Sequence, residues 1–186
     1  MEALDRVADS IGQKRILPAL SAIMSEFLTN ADWKYRHAAL MALSQVVCII
    51  PQQPGDAPFA EVLSQLLPFL QDPHRRVRYA ALNALGQLSC DHHPSFQAGH
   101  HAVVLPALMS AAGDAESAKV QSHVGAALNN FLNNFQQSLL EPYLQPLLEL
   151  LFEFLNDRPR VVQEQAVSAL SSAAECAEEM FVPFYD

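Results

Sequence analysis

The chain has 186 residues, of which 51% are hydrophobic, and a formal net charge of −9. We expect no membrane span and no signal peptide, because the apolar runs are too short and the N-terminal MEALDRVADS lacks a signal pattern. Three cysteines without a CxxC spacing exclude a disulfide framework and indicate reduced thiols in a cytosolic or nuclear protein.

Predicted helices follow one another in pairs along the chain, each pair being an A helix and a B helix joined by a short turn. The A helices are predicted near residues 15–29, 57–71, 98–112 and 140–156. The B helices are predicted near residues 33–50, 74–92, 117–134 and 159–176. Prolines are expected near the starts of the A helices, where the missing N–H costs little: Pro18, Pro58, Pro106 and Pro146.

The four B helices share one sequence pattern at a nearly constant interval. VRYAALNAL at 77–85 aligns without gaps with YRHAALMAL at 35–43, VQSHVGAAL at 120–128 and VQEQAVSAL at 162–170. The closing leucines lie 42, 43 and 42 residues apart. A two-helix unit of this period is typical of HEAT repeats. The predicted fold class is therefore all-α, an α-α superhelix (HEAT-repeat solenoid) of about four helix pairs with partial repeats at both ends.

The whole chain, residues 1–186, is predicted to be a single solenoid segment, because each repeat of a solenoid packs on its neighbours. The repeats are expected at residues 15–50, 57–92, 98–134 and 140–176, with partial repeats at 1–12 and 178–186. Neither end shows the polar capping repeat with which a solenoid closes. The chain is therefore predicted to be an internal segment of a longer array.

Each B helix is predicted to have a buried face and a polar face. In the second repeat Ala81, Ala84, Leu85 and Leu88 fall within about 100° of one another, and we expect them to be buried. The opposite face carries Tyr79, Asn83, Gly86, Gln87 and Cys90. Its equivalents in the other repeats are His37, Met41, Ser44, Gln45 and Cys48; Ser122, Ala126, Asn129, Asn130 and Asn133; and Glu164, Ser168, Ser171, Ser172 and Glu175.

This polar face becomes acidic toward the C-terminus, where it carries Glu164 and Glu175. The surrounding residues 103–186 hold 11 acidic and 3 basic side chains in all. Asn and Gln can hold a peptide backbone, and carboxylates attract lysines, so the face suits an extended or basic peptide. An ordinary solvated face is the alternative interpretation. The acidic surface repels phosphate backbones, and no nucleic-acid partner is expected.

Three arginines in DPHRRVRYAAL (72–82) raise the question of an anion site. Arg78 recurs as Arg36, and then as Gln121 and Gln163, always next to the first residue of the aligned segment. Such a ladder favours a structural link between repeats over a ligand site. Arg75 and Arg76 do not recur and are interpreted as solvated, while Trp33 is expected to pack between repeats.

No catalytic or metal-binding set is predicted. His92, His93, His100 and His101 bracket one loop, but their spacing matches no common zinc pattern, and a polar loop is the better interpretation. No phosphate-binding, nucleophile-elbow or HExxH motif occurs. None of the seven histidines is followed by Glu, which argues against the HEAT-repeat metal-dependent hydroxylases. We expect no enzyme activity, no cofactor and no metal.

Four strings resemble the karyopherin-β (importin-β) family of nuclear transport receptors. They are DWKYRHAALMALSQV (32–46), FLQDPHRRVRYAALNALGQL (69–88), KVQSHVGAALNNF (119–131) and AEEMFVPFYD (177–186). The resemblance runs over essentially all 186 residues. The loops at 48–62 and 89–103 depart from the family pattern, so no contact of the family's loops is carried over to them.

The resemblance implies a carrier for protein import, found in the cytoplasm and the nucleus. Its implied partners are basic cargo proteins with nuclear localisation signals, nucleoporins, and the Ran GTPase, the last held mainly by repeats outside this segment. The residues that it places against a lysine-rich signal are Asn83, Asn129, Asn133, Glu164 and Glu175, joined by Tyr79, Gln87 and Asn130. A HEAT-repeat scaffold of a phosphatase or another multiprotein complex is the alternative function.

Overall fold

The computed structural model describes residues 24–49, 57–113, 117–156 and 158–184, and every regular element in these residues is helical. They form two compact units, Met1–Asp91 and His92–Asp186, called here the N-terminal and the C-terminal unit. No helix in the described part of the chain is long and apolar enough to span a membrane. The all-α prediction is confirmed.

In the N-terminal unit residues 24–28 are helical and are followed by α1 (Trp33–Val46), which continues as a 3-10 turn (Val47–Ile49). Helix α2 (Ala57–Leu66) continues as a second 3-10 segment (Leu67–Gln71). Helix α3 (Arg75–Asp91) completes the pair. The two B helices α1 and α3 pack against each other.

The C-terminal unit contains two further pairs. They are α4 (Ser95–Ala111) with α5 (Ala118–Leu132), and α6 (Gln137–Leu155) with α7 (Arg160–Ala177). A 3-10 segment, Glu178–Phe184, follows α7. The B helices α5 and α7 lie side by side, and α6 packs on both α4 and α7. The predicted alternation of A and B helices is confirmed from α1 onward, and the N-terminal partial repeat at 1–12 lies outside the described residues.

Two of the predicted proline positions are wrong. Pro106 lies in the middle of α4 and Pro146 well inside α6. The predicted ranges 98–112 and 140–156 had already placed both prolines beyond the first helical turn, and the helices begin three residues earlier still. Each proline removes one intrahelical hydrogen bond. Pro58 is the second residue of α2, as expected, and Pro18 falls outside the described residues.

The apolar face of the B helices forms the core. In α3 Ala81, Ala84, Leu85 and Leu88 are fully buried, as the helical spacing predicts. Leu128 of α5 is equally buried, whereas Leu170 of α7 is only half-buried. In the C-terminal unit the largely aliphatic core also contains an aromatic cluster, in which Phe96 and Phe131 lie edge to face at 6.2 Å between ring centroids.

Arg36 forms the predicted structural link between repeats, and Arg78 makes the equivalent contacts with its own turn. Arg36 donates to the carbonyls of Asn30 and Ala31 in its own turn, and Arg78 donates to those of Asp72 and Pro73. Arg36 also reaches the next repeat, where its Nε and Nη2 donate to the two carboxylate oxygens of Asp72 at 2.7 and 3.0 Å. The hydrogen bond from Arg36 to Asp72 raises the pKa of this already basic guanidinium. The guanidinium of Arg36 therefore stays charged at any physiological pH.

Gly125 allows α5 and α7 to approach each other closely. A Cβ at Gly125 would lie 2.9 Å from the Cβ and 3.2 Å from the carbonyl carbon of Gln165, and neither atom can rotate away. Overpacking costs about 1–3 kcal/mol, which exceeds the gain of about 1 kcal/mol from alanine's helix propensity. We expect Gly125→Ala to lower the free energy of unfolding by about 1 kcal/mol in urea denaturation.

Gly113 provides the control for this substitution. Its nearest atom to an added Cβ is the carbonyl oxygen of Ser110 at 3.5 Å, an ordinary contact. Gly113→Ala should therefore leave the unfolding free energy unchanged or slightly higher. Equal effects of the two substitutions would show that the close approach at Gly125 is unimportant.

Candidate peptide-binding face

In the N-terminal unit the predicted polar face lies on one side of α3. Tyr79, Asn83 and Gln87 follow one another at intervals of four residues, so their side chains project from the same side of the helix. Tyr79 and Asn83 are half-buried and Gln87 is exposed. The Gln87 amide donates to the carboxylate of Asp91 at 2.9 Å, which orders this end of the face.

In the C-terminal unit two predicted residues meet a third from the neighbouring repeat. The Ser172 hydroxyl of α7 lies 2.9 Å from Oδ1 of Asn129 and 3.1 Å from Oδ1 of Asn133. A hydroxyl has one proton, so it donates to one amide oxygen and can accept an N–H from the other amide once that amide is turned over. Asn129 and Asn133 therefore join two B helices as well as presenting polar atoms, and the predicted residue Asn130 is half-buried beside them.

The two predicted carboxylates are both exposed on α7. Glu164 accepts from Arg160 at 2.8 Å, with 90% of the arginine side chain and 57% of the glutamate side chain exposed. Exposed pairs of this kind contribute only about 0–1 kcal/mol, so an incoming cation can replace Arg160. Glu175 has a long contact with Ser171 at 3.5 Å and no ion pair in the described chain. Its charge is available to a ligand.

A cleft of about 300 Å³ opens where α5 and α7 end, lined by the polar groups of Asn133, Gln137, Glu175 and Glu178. Gln137 donates to the carbonyl of Ala177 at 2.9 Å, which fixes one wall. Glu178 ends α7 with φ 49°, a conformation that non-glycine residues rarely adopt. Two carboxylates and two amides at one opening can hold an ammonium group together with its peptide backbone.

The Cys176 thiol at this cleft is not a nucleophile. Its sulfur lies 3.3 Å from the carbonyl oxygen of Phe135. Burial, and secondarily the charge of Glu178, raise the pKa of the Cys176 thiol. The thiol is therefore protonated at neutral pH and less reactive than an ordinary cysteine.

The four histidines of the 92–101 region do not converge on one point. His92 and His100 are buried, and Nδ1 of His101 lies 3.0 Å from the hydroxyl of Tyr143. His93 is exposed. Within the described ranges no three His, Cys, Asp or Glu side chains are grouped so that they could hold a metal ion.

Some residues of the predicted polar face lie on the buried side of their helices. Gly86, Ser44, Ser122 and Ser172 were expected on the polar face, and all four are buried. Helix α7 shows why, because Ser172 faces α5 rather than solvent. Conversely, the helical spacing missed Gln137 and Glu178, since both lie beyond the ends of the B helices. The acidic pair EE at 178–179 was the only signal for Glu178, and Gln137 had none.

Comparison with known proteins places the chain among helical-repeat transport receptors. A HEAT-like repeat family matches residues 33–88. The chain is 37% identical to importin subunit beta-3 of Saccharomyces cerevisiae over 190 residues, covering 100% of the chain and 17% of that protein. It is also similar to the crystal structure of the karyopherin Kap121p bound to the extreme C-terminus of the protein phosphatase Cdc14p, with a TM-score of 0.91 and 36% identity.

A second crystal structure, of Kap121p bound to RanGTP, matches with a TM-score of 0.86 and 36% identity. Both structures are matched over 99% of this chain and 18% of theirs. The chain therefore spans less than a fifth of the length of these relatives.

Proposed function

Because this chain belongs to the karyopherin-β family, as a HEAT-repeat segment homologous to importin beta-3 along its whole length, we propose that it is part of a nuclear import receptor. In this function its B helices bind the basic signal of a cargo protein. The receptor carries the cargo through the nuclear pore and releases it to RanGTP. Karyopherins are transport receptors rather than enzymes, and the chain is accordingly a binding segment.

Structures of the relative support the assignment of partners. Kap121p has been crystallised with Pho4p, with Ste12p, with Nup53p and with RanGTP. For this chain we infer three partners of the same kinds: a basic cargo signal, nucleoporins, and Ran held mainly by repeats outside the segment. The receptor shuttles between cytoplasm and nucleus. No nucleic acid or membrane takes part.

The observation that carries the proposal is the exposed carboxylate of Glu175 beside the cleft. It has no ion pair in the described chain, and it stands next to the amides that join α5 and α7. A lysine reaching Glu175 and Glu178 would leave its backbone near the amide of Asn133. The exposed Glu164, about three turns away along α7, extends the negative surface for a second basic side chain.

Binding of a lysine-rich peptide tests the proposal directly. We expect the double charge reversal Glu164→Lys/Glu175→Lys to weaken binding of a fluorescein-labelled lysine-rich import signal at least tenfold in fluorescence anisotropy. Loss of a close charge pair and its replacement by a like charge together cost more than the 1.4 kcal/mol that corresponds to tenfold. Binding should also fall steeply as salt is raised, because the groups are exposed.

The matched control is Glu141→Lys/Glu149→Lys on α6, which changes the net charge by the same amount at two exposed residues of an A helix. We expect it to change the affinity no more than twofold. Equal losses of affinity in both double variants would mean that only the net charge matters, and would contradict a specific site. Absence of binding by the original chain at every salt concentration would favour the scaffold function instead.

A further inference from the structure

The N-terminal unit carries a positively charged surface at the turns that join its A helices to its B helices. Lys34 is the second residue of α1, and Arg75 and Arg76 are the first two residues of α3. All three side chains are exposed. Together with Trp33 and His74 they form what we call the basic turn patch. The chain is acidic as a whole, and the patch lies in its N-terminal part, where most of the basic residues are found.

Aromatic contacts hold the two turns of this patch together. The ring of Trp33 from one repeat stacks on His74 from the next, with centroids 3.8 Å apart and an interplanar angle of 6°. The guanidinium carbon of Arg76 lies over Trp33 at 5.4 Å from the ring centroid. A guanidinium placed on an aromatic ring keeps its N–H edges available and has little freedom left to lose when it binds a carboxylate.

No carboxylate in the described part of the chain is paired with the cations of the patch. Neither α1 nor α3 has an acidic residue in its first turn, although that is where the helix dipole favours negative charge and disfavours positive charge. The carboxylates of the two turns themselves are already engaged, since Asp72 is held by Arg36 and Asp32 caps the N–H of Lys34. Among the described residues no carboxylate forms an ion pair with Lys34, Arg75 or Arg76.

The arginines of the patch also influence the protonation of His74. Desolvation lowers the pKa of His74 first, and Arg76, Arg75 and Arg36 lower it further, while Asp72 acts in the opposite direction. His74 is therefore neutral at pH 7 and stacks on Trp33 as an uncharged ring. An anion bound at the patch would favour the imidazolium and raise this pKa.

We propose that the basic turn patch binds an acidic, extended segment of a partner protein, whose Asp and Glu side chains pair with Arg75, Arg76 and Lys34. The three cations match a segment with about three neighbouring carboxylates. Nucleic acid fits less well, because three phosphate contacts give weak binding in a chain of net charge −9 and His74 already covers the ring of Trp33 against base stacking. The proposal is independent of the cargo-binding carboxylates on α7.

Trp33 makes the test simple, because it is the only tryptophan of the chain. Titration with an unlabelled peptide of six glutamates, at low salt, should change the Trp33 fluorescence in a saturable way. In the same titration, histidine NMR signals followed against pH should show the pKa of His74 rising in the bound state. Arg75→Gln/Arg76→Gln should weaken binding at least tenfold while leaving the circular dichroism spectrum unchanged.

Arg158→Gln/Arg160→Gln is the matched control, since it removes the same charge from two arginines paired with Glu153 and Glu164 in the C-terminal unit. We expect it to leave binding of the acidic peptide within twofold. Three results would overturn the proposal: no saturable change in fluorescence, equal loss in both double variants, or tighter binding of a single-stranded oligonucleotide than of the peptide. None of them bears on binding of the lysine-rich signal.

Discussion

Replacing Asp72 with alanine is expected to lower the free energy of unfolding by about 3–5 kcal/mol, measured by urea denaturation followed by circular dichroism. The side chains of Arg36 and Asp72 are only 13% and 5% exposed, so the variant leaves a guanidinium charge largely buried without its carboxylate. Asp72 also accepts the backbone N–H of His74 at 2.8 Å, and this turn contact is lost together with the ion pair.

Asp32→Ala separates the contribution of the ion pair from that of the hydrogen bond to the turn backbone. Asp32 is exposed and caps α1 through the N–H of Lys34 at 3.0 Å, so its loss should cost about 0.5–2 kcal/mol. The double variant Arg36→Met/Asp72→Leu removes both charges and should recover much of the stability lost in Asp72→Ala. If Asp72→Ala cost no more than Asp32→Ala, the ion pair between repeats would contribute nothing.

Phe131→Ala is the second large effect, an expected loss of about 3–5 kcal/mol. The side chain is fully buried, and its ring lies 5.5 Å from that of Phe135 and 6.2 Å from that of Phe96. Its removal leaves a cavity where α4 and α5 meet. Urea denaturation provides the measurement, with hydrogen exchange showing that protection is lost first in the C-terminal unit.

Phe152→Ala provides the comparison, because this phenylalanine on α6 is 40% exposed. Its truncation should cost less than about 1 kcal/mol. A similar loss in both variants would mean that the aromatic cluster stabilises the unit no more than an exposed ring does.

The repeat architecture could be predicted because it depends on a pattern that recurs. The apolar and alanine positions of VRYAALNAL recur at intervals of 42 or 43 residues, and each recurrence falls on a B helix in the structure. Arg36 and Arg78 make the same contacts with their own turns for the same reason. Local rules were less reliable where tertiary packing overrides them, as for Pro106 inside α4.

The candidate face could be predicted only in outline. Helical spacing placed Asn129, Asn133 and Glu175 on the polar side of their helices, and none of them is buried. It could not show that Ser172 bonds to both asparagines, because that contact depends on the angle and distance between two helices. The cleft was also missed, since it arises from the turn after α5 and the left-handed conformation of Glu178.

The most direct test of where a basic peptide lies is zero-length cross-linking of a lysine-rich import signal to the chain. Mass spectrometry then identifies the carboxylates that have been linked. The cleft and the α7 face predict amide bonds from peptide lysines to Glu175 and Glu178, with Glu164 next in yield. Cross-links confined to Glu141 and Glu149 on α6, or spread evenly over all exposed carboxylates, would contradict the assignment.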